Sequence, residues 1–401
     1  MNISRKIAAS LEGASFIRKM FEEGERLRAI FGADRVYDFS LGNPSEEPPA
    51  AIHAELQKLA LSPIPGMHRY MPNAGYQETR AAVARVLARE ASLPVEADHV
   101  VMTCGAGGAL NVALKAILDP GDEVIVITPY FMEYRFYVDN HGGVIREVPA
   151  GDNFLPDLDA LAEAVNQRTR ALILNSPNNP TGVVYPAAVF DGLQELLADR
   201  EKKFDRMIYV IADEPYAKLV YDGVTVPPVM RHIKNALVAT SHSKDLGLPG
   251  ERIGYLAASP RIDSVDLLMQ ALIFTNRTLG FVNAPALMQR LVAPLEGLPI
   301  DVAPYREKRD ILYNHLIALG YRMVKPQGAF YLFPRSPIPD DLAFVDLARK
   351  HNILVVPGRG FGRPGYFRLS YSVPLPTVQG SLPAFDALAE DLAEHPQRRV
   401  W

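Results

Sequence analysis

Lys244 has the neighbours that an amine nucleophile needs. It lies in Ser241-His242-Ser243-Lys244, just after a short apolar run, with a hydroxyl three residues before it and the guanidinium of Arg252 eight residues after it. A lysine at the end of a strand is usually only solvated. Here a glycine-punctuated loop adds groups suited to phosphate, and partial burial beside a positive charge disfavours the ammonium form. The segment therefore suits an amine that loses its proton and attacks an aldehyde.

Asp213 and Tyr216 follow the apolar run from Ile208 to Ala212. A carboxylate at the end of a buried strand is costly unless it is paired, and capping a helix is the simplest structural explanation. Paired with a pyridine nitrogen, it would keep that ring protonated and able to accept the electrons released at a substrate Cα. Tyr216 would then be placed to bond a ring oxygen, although a lone tyrosine is more often a core residue.

Two turns carry the next polar groups. Gly105-Ala106-Gly107 opens a predicted helix directly after an apolar run, which places free backbone amides where an anion binds. A dinucleotide site is the rival interpretation, but Leu110 stands where the third glycine of that fingerprint belongs. A single phosphate is therefore the better ligand. Asn178-Asn179-Pro180-Thr181-Gly182 is a turn on composition alone.

Arg368 lies in Tyr366-Phe367-Arg368-Leu369-Ser370, an alternating pattern that predicts a strand. An arginine on such a strand usually faces solvent. If the side chain points inward instead, its planar guanidinium would bind a substrate α-carboxylate through two hydrogen bonds.

These residues need a scaffold that gathers the ends of strands. Between residues 50 and 293, short continuous apolar runs end in polar or glycine-rich turns and alternate with helical patterns. This alternation predicts an α/β fold with a mainly parallel sheet buried on both faces. Ligands of such sheets bind beyond the carboxyl ends of the strands, so we expect the polar clusters to meet there.

The two ends of the chain have a different pattern. The elements predicted there are the strands Val36–Leu41, Ala329–Phe333, Ile353–Val356 and Phe367–Tyr371 and the helices Tyr305–Leu319 and Ala384–Glu394. We interpret residues 50–293 as a large domain. Residues 1–49, an N-terminal arm, and residues 294–401 would together form one smaller α+β domain.

Composition limits the class of protein. The 401 residues are 48% hydrophobic and 22% charged, with a net charge of −4, so the chain has no positive field to gather nucleic acid. The single cysteine, Cys104, fits a reducing cytoplasm better than a disulfide framework. From Ile7 to Ile30, apolar and charged residues interleave as in an amphipathic helix, so we expect a soluble protein without a signal peptide or a membrane span. No metal site is predicted.

Together these motifs resemble the class I/II aminotransferases of pyridoxal-phosphate (PLP) fold type I, over nearly the whole chain. The matching segments, in the family's order, are Leu41-Gly42-Asn43-Pro44, Tyr70, Gly105-Ala106-Gly107, Asn175–Gly182, Asp213–Tyr216, Ser241–Gly254, Gln327-Gly328-Ala329-Phe330-Tyr331 and Arg368. The resemblance implies a seven-stranded, mainly parallel sheet and the cofactor pyridoxal 5'-phosphate. It also implies a ping-pong reaction between an L-amino acid and a 2-oxo acid.

The resemblance implies a role for each residue. Lys244 would hold the cofactor as a Schiff base and later move the proton at the substrate Cα. Asp213 would hold the pyridine nitrogen, with Asn179 and Tyr216 at the 3-oxygen. The other implied contacts are Phe131 stacked on the ring, Gly105, Ala106, Gly107, Ser241 and Arg252 around the phosphate, Tyr70 reaching that phosphate from the second subunit of a homodimer, and Gly42, Asn179 and Arg368 at the substrate.

One position departs from the family pattern. Some aspartate-using members carry a lysine in the loop that opens the phosphate helix, where it binds the distal carboxylate, and here that place is Gly107. The substrate therefore stays open between aspartate, an aromatic amino acid and a similar one. A PLP-dependent C–S lyase or decarboxylase would keep the same lysine and acid and is the alternative to transamination. A non-catalytic PLP or amino-acid sensor is a further alternative, although the motif at Gly42 leaves no room for a preceding DNA-binding domain.

Overall fold

The computed structural model describes residues 3–12 and 16–394. Its α-helices are α1 (Arg5–Glu12), α2 (Phe16–Phe31), α3 (Ala50–Leu61), α4 (Gln77–Ala91), α5 (Gly105–Ile117), α6 (Glu133–Asn140), α7 (Leu158–Ala164), α8 (Ala187–Phe204), α9 (Val229–His232), α10 (Val265–Thr278), α11 (Ala286–Val292), α12 (Ala303–Ala318), α13 (Asp341–Lys350) and α14 (Leu375–Glu394). Its strands are β1 (Tyr37–Asp38), β2 (Val100–Thr103), β3 (Glu123–Thr128), β4 (Val144–Pro149), β5 (Thr169–Asn175), β6 (Tyr209–Asp213), β7 (Ala236–Ser241), β8 (Gly254–Ala258), β9 (Tyr331–Leu332), β10 (Ile353–Leu354), β11 (Val356–Pro357) and β12 (Phe367–Ser370).

The central sheet has seven strands in the order β2-β8-β7-β6-β5-β3-β4. The neighbours from β7 to β4 are parallel, whereas β8 is antiparallel to both β2 and β7. Every residue of β2, β3, β6 and β8 is buried, as expected of strands covered on both faces. The predicted α/β fold with a mainly parallel, seven-stranded sheet is confirmed.

Helices cover the two faces of this sheet. Val124 and Ile125 are adjacent in β3 and belong to different apolar clusters, because successive side chains of a strand point to opposite faces. Leu272 of α10 lies in the cluster with Val124, and Leu193 of α8 lies in the cluster with Ile125. Each fully buried side chain of this size contributes about 1.5–3 kcal/mol to folding.

The two ends of the chain meet in a further apolar cluster. Phe39 from the N-terminal segment packs there with Leu312, Phe367 and Phe385. β1 pairs in parallel with β10, and the three strands β11, β12 and β9 form a small antiparallel sheet. The division at residues 49 and 293 remains a prediction.

Several elements at the chain ends differ from the expected bounds. The strand expected at Val36–Leu41 is only Tyr37–Asp38, and Ile353–Val356 is divided between β10 and β11. The final helix begins at Leu375 and continues through Pro383, although proline usually ends a helix. Its buried face, which includes Val378, Phe385 and Leu392, offsets the lost backbone hydrogen bond through packing.

The N-terminal amphipathic stretch forms two helices, α1 and α2, and residues 13–15 between them lie outside the described residues. Within residues 3–12 and 16–394, no helix has both the length and the apolar character of a membrane-spanning segment.

Candidate active site

Three adjacent strands of the sheet end at one pocket. Asn175, Asp213 and Ser241 are the last residues of β5, β6 and β7, and all three line a cavity of about 290 Å³. Parallel strands bring their carboxyl ends to one edge of a sheet, which is why residues distant in sequence meet here. Gly42 and Arg368, from the two ends of the chain, close the cavity on the other side.

The structure brings most of the predicted site residues together. Those that line the cavity are Gly42, Ala106, Gly107, Phe131, Asn179, Asp213, Tyr216, Ser241, Lys244, Arg252 and Arg368. Gly105 lies beside it, because a Cβ built on this residue would be 2.9 Å from Nη2 of Arg252. Tyr70 is the exception within one chain, since it is 89% exposed and borders a separate surface pocket with Phe281.

Lys244 presents its amine to this cavity. Nζ donates a hydrogen bond to the carbonyl oxygen of Gly42 at 2.7 Å and lies 5.5 Å from the centre of the Phe330 ring. Burial, together with the positive charges of Arg368 and Arg252, lowers the pKa of Lys244 to about 8. With this pKa about one tenth of the amine is neutral at pH 7, far more than for an ordinary lysine, and the neutral amine is the form that attacks a carbonyl.

A buried ion-pair network holds the Lys244 loop from behind. Asp245 accepts a hydrogen bond from Nζ of Lys218 at 2.8 Å and lies 3.3 Å from Nδ1 of His242. Nε2 of His242 is 2.9 Å from the carboxylate of Glu296. Burial lowers the pKa of His242, but the negative charges of Glu296 and Asp245 outweigh it and raise that pKa to about 10. Burial would raise the pKa of Asp245, but His242 and Lys218 hold it well below its usual range.

Asp213 is the buried acid of the pocket. Its Oδ2 accepts a hydrogen bond from the Tyr134 hydroxyl at 2.5 Å, and Nδ2 of Asn175 donates to its backbone carbonyl oxygen at 2.7 Å. Its Oδ1 has no hydrogen-bond partner among the residues that the structure describes. Burial raises the pKa of Asp213 to about 7, although the hydrogen bond from Tyr134 opposes the rise. A cationic partner at the free oxygen would stabilise the ionised form of this buried carboxylate.

Arg368 points inward. Its Nη1 donates to Oδ1 of Asn179 at 3.0 Å and its Nη2 donates to the carbonyl oxygen of Ser40 at 2.6 Å. The guanidinium also lies over the rings of Tyr331 and Phe361, at 4.5 Å and 4.8 Å. The side chain is therefore held as a fixed, planar cation at the cavity wall, and the solvent-facing alternative is wrong.

The opposite end of the cavity is suited to an anion. α5 begins at Gly105 with no side-chain cap, so backbone N–H groups of its first turn remain available. Gly105 has a φ of +70°, and the Arg252 guanidinium packs closely against the side on which a Cβ would stand. Ser241 donates to Oγ of Ser243 at 3.0 Å on the same side. Backbone amides, hydroxyls and one guanidinium are the usual donors to a phosphate.

Three tyrosines at the site, Tyr134, Tyr137 and Tyr331, were assigned no role from the sequence. Tyr134 and Tyr137 of α6 follow Phe131, which precedes this helix, at intervals of three residues. One face of this short helix is therefore aromatic. Tyr137 lines the cavity beside Gly107. That spacing was a usable signal, but aromatic residues at helical spacing are more often core. Tyr331 shares a 2.8 Å hydrogen bond with Tyr216. A Cβ on Gly42 would lie 2.0 Å from the Tyr331 hydroxyl, so only glycine fits there.

Among the described residues, no group of three or more His, Cys, Asp and Glu side chains is arranged to hold a metal ion.

Comparisons with known proteins point to one family. The family model "Aminotransferase class I and II" matches residues 34–380. The aspartate/prephenate aminotransferase of Thermus thermophilus is 33% identical over 350 residues, which cover 86% of this chain and 88% of the relative. The aspartate aminotransferase of Thermotoga maritima is 30% identical over 377 residues, covering 91% of this chain and 95% of the relative.

Solved structures agree with the sequence relatives. An aminotransferase from Eubacterium rectale superimposes with a TM-score of 0.94 at 39% identity, covering 98% of this chain and 99% of that one. The aspartate aminotransferase of Thermus thermophilus with maleate superimposes with a TM-score of 0.84 at 28% identity, covering 97% and 100%. These names do not favour the lyase, decarboxylase or sensor alternatives. Because the family match extends over most of the chain and over the pocket itself, we conclude that this protein belongs to the class I and II aminotransferase family and is a transaminase.

Proposed function

We propose that the pocket binds pyridoxal 5'-phosphate and transfers the amino group of an L-amino acid to a 2-oxo acid in two half-reactions. The observation that carries the proposal is that Lys244 and Asp213 face one cavity, the lysine with a lowered pKa and the acid with one carboxylate oxygen unpaired among the described residues. An amine for the aldehyde and an acid for the pyridine nitrogen are the two groups this cofactor needs from a protein.

The remaining groups of the pocket fit the same cofactor. Oδ1 of Asp213 is a buried acceptor that a protonated ring nitrogen would satisfy. The uncapped start of α5 and Arg252 supply donors for the phosphate. Phe131 lies at the wall between these ends, where an aromatic face would stack on the ring.

Pyridoxal phosphate, when bound, supplies an aldehyde that captures an amine and a ring that stores the electron pair released at the substrate Cα. Lys244 would hold this aldehyde and, once displaced by the substrate, would move the proton to and from the Cα as general acid and base. Asp213, kept anionic by its cationic partner, would hold the proton on the ring nitrogen. Tyr216 and Asn179, which both line the cavity, would hold the neighbouring ring oxygen.

Arg368 would fix the position of the substrate. Asn179 and Ser40 already orient its guanidinium. Binding a carboxylate there therefore costs little further ordering of the arginine side chain. Gly42 lines the same cavity, and because it has no side chain the Tyr331 hydroxyl can approach its backbone closely. Orienting the α-carboxylate fixes which bond at the Cα lies next to the Lys244 amine.

We also propose a homodimer in which each subunit completes the site of the other. Tyr70, which the resemblance places at the phosphate, is 89% exposed and outside the cavity of its own chain, so only a second subunit could bring it to a phosphate. Sedimentation should show a dimer at micromolar concentration, and a monomer that is fully active would contradict this role. A cytoplasmic location remains a prediction from the single cysteine.

Aspartate is the first substrate to test, because relatives of this chain are named for it. The cationic side chains that line the cavity within one chain are Lys244, Arg252 and Arg368. Each already has a proposed task at the aldehyde, the phosphate or the α-carboxylate. A distal carboxylate would therefore need a cation from the second subunit, whereas an uncharged side chain would not.

The test is a single-turnover screen of the cofactor-loaded protein. Each amino acid is mixed with the protein in the absence of a 2-oxo acid, and its keto acid is quantified together with ammonia and the aminated cofactor. A transaminase forms one keto acid per site, one aminated cofactor and no ammonia. Pyruvate and ammonia formed over many turnovers would contradict the proposal.

Lys244→Ala should abolish keto-acid formation while leaving cofactor binding measurable. Lys115→Ala, which removes an exposed lysine of α5, is the matched control and should behave like the unaltered protein.

A further inference from the structure

Tyr134 is a fully buried tyrosine that contacts the acid of the pocket but not the cavity itself. Its hydroxyl donates to Oδ2 of Asp213 at 2.5 Å, and its side chain is 1% exposed. Its ring packs edge-on against Phe131, with ring centres 5.6 Å apart and an interplanar angle of 87°. The phenol is therefore fixed in position before any ligand arrives.

The hydrogen bond from Tyr134 distinguishes the two oxygens of Asp213. Oδ2 is occupied by the phenol, whereas Oδ1 is buried and has no partner within the described part of the chain. A carboxylate that was free to rotate could offer either oxygen to a ligand. Here the phenol fixes the carboxylate plane, which leaves Oδ1 as the acceptor.

The same bond affects the charge of the acid. A hydrogen bond donated to a carboxylate stabilises the ionised form relative to the protonated form. The other titratable groups that interact with Asp213 are Tyr137 of α6, Tyr216 of the following turn and the adjacent Glu214. Tyr137 and Tyr216 are phenols and Glu214 is a carboxyl group, so none of them can supply a positive charge that would ionise Asp213. Burial raises the pKa of all three. Tyr134 is the side chain that opposes the effect of burial on this acid.

We propose that Tyr134 is a positioning residue that holds Asp213 ionised and turns its Oδ1 toward the ring nitrogen of the cofactor. The inference rests on the proposed function, because it assigns Asp213 to that nitrogen. Tyr134 acts only through the carboxylate and exchanges no proton with the substrate.

The first test uses the protein without cofactor. Aspartate labelled with ¹³C at the carboxyl carbon is incorporated, the Asp213 signal is assigned by its loss in Asp213→Asn, and its titration is followed by NMR. In Tyr134→Phe the midpoint should move to higher pH by about one unit, the effect of losing one hydrogen bond to a charged group. A midpoint equal to that of the unaltered protein would overturn the proposal.

Tyr130→Phe is the matched control. Tyr130 is 2% exposed, and its hydroxyl donates to Oε1 of Glu147 at 2.7 Å. The variant therefore removes a buried phenol that is bonded to a carboxylate and lies close in sequence, without touching Asp213. Its Asp213 titration should match that of the unaltered protein. An equal shift in both variants would mean a general loss of packing and would also overturn the proposal.

The second test measures the cofactor. Tyr134→Phe should bind pyridoxal phosphate about tenfold more weakly, and ¹⁵N NMR of the labelled ring nitrogen should show less of its protonated form. In the Asp213→Asn background, Tyr134→Phe should change the dissociation constant by less than about twofold, because the carboxylate through which it acts is gone. An undiminished effect in that background would assign Tyr134 a packing role and reject the inference.

These measurements separate the two proposals. If the unaltered protein bound no pyridoxal phosphate, the proposed function would fail, whatever the Asp213 titration showed. If the unaltered protein bound the cofactor and Tyr134→Phe behaved identically in both tests, only the role of Tyr134 would fail. Should Tyr134→Phe not fold, Tyr134→Met also removes the donor and should raise the Asp213 midpoint in the same way, and an unchanged midpoint in that variant would equally overturn the proposal.

Discussion

The Nζ atom of Lys244 lies 2.7 Å from the carbonyl oxygen of Gly42, 202 residues earlier in the chain. The hydrogen bond joins the carboxyl edge of the central sheet to the N-terminal segment that packs with the C-terminal one. The amine is therefore positioned by two parts of the chain, and a change at either should alter its reactivity.

The first prediction concerns pH. Because the pKa of Lys244 is lowered to about 8, the fraction of neutral amine should rise as pH increases through that value. The rate at which a limiting amine reagent labels Lys244 in the cofactor-free protein should reach half its maximum near pH 8. Mass spectrometry can follow Lys244 and exposed Lys115 in the same sample. A midpoint near 10.4, the value of a free lysine, would contradict the lowered pKa.

Arg368→Lys tests the substrate carboxylate. Lysine keeps the charge but loses the planar pair of donors, and each hydrogen bond to a charged group is worth about 1.5–3 kcal/mol. We expect the KM for the amino acid to rise about tenfold to a hundredfold, with cofactor affinity unchanged. Arg335→Lys, on the surface, is the control. An unchanged KM in Arg368→Lys would show that the carboxylate binds elsewhere.

Gly42→Ala tests the close approach of Gly42 and Tyr331. A Cβ would lie 2.0 Å from the Tyr331 hydroxyl, so either the loop or the tyrosine must move. Overpacking of this kind costs about 1–3 kcal/mol, and the displacement should also weaken the Lys244 hydrogen bond. Calorimetry should show a lower melting temperature. Gly250→Ala has open space and should melt like the unaltered protein; equal melting of both variants would refute the steric argument.

Asp245→Asn tests the ion-pair network behind the lysine loop. The change leaves the charges of Lys218 and His242 without their shared partner, and breaking a buried pair costs about 3–5 kcal/mol. Asp263→Asn removes an exposed partner of Lys234 and should cost less than about 1 kcal/mol. Denaturant unfolding of both variants measures the difference, and similar losses would argue against a buried network.

The cost of Asp245→Asn should also depend on pH. The lowered pKa of Asp245 gives stability that is present above about pH 4, the value in an unfolded chain, and is lost as pH falls further. The raised pKa of His242 gives stability that is complete below about pH 6.5 and is lost as pH rises through about 10. The network should therefore contribute most to the free energy of unfolding between about pH 4 and pH 6.5. If Asp245→Asn lowered the free energy of unfolding by the same amount from pH 3 to pH 10, the contribution of the network would not be ionic.

The sequence was most informative where local pattern and chemistry coincide. Asp213 and Ser241 could be placed at one edge because each ends an apolar run, and parallel strands align such ends. The inward direction of Arg368 could not be predicted, since all four residues of β12 are buried and alternation does not identify the inner face. Tyr134 was missed because its role depends on a contact between α6 and β6 that only tertiary packing creates.

Helix bounds show the same limit. The last helix was expected from Ala384, yet α14 begins at Leu375 and runs through Gly380 and Pro383. Intrinsic propensity is a weak guide when one face of a helix is fully packed. Tyr70 is a different case, because the contact implied for it would be made to a second subunit.

The pairing of β1 with β10 determines the order in which parts of the fold can form during translation. Tyr37 lies opposite Ile353, so the N-terminal strand must wait for the chain to be almost fully translated before it finds its neighbour. The strands that end at Asp213 and Ser241 need no such delay, because their partners lie between residues 100 and 258. A ribosome-bound chain would therefore acquire the phosphate end of its pocket well before the carboxylate end. A chain that stopped after α10 would contain the strands that end at Asp213 and Ser241 but would lack Arg368, the residue proposed to bind the substrate carboxylate.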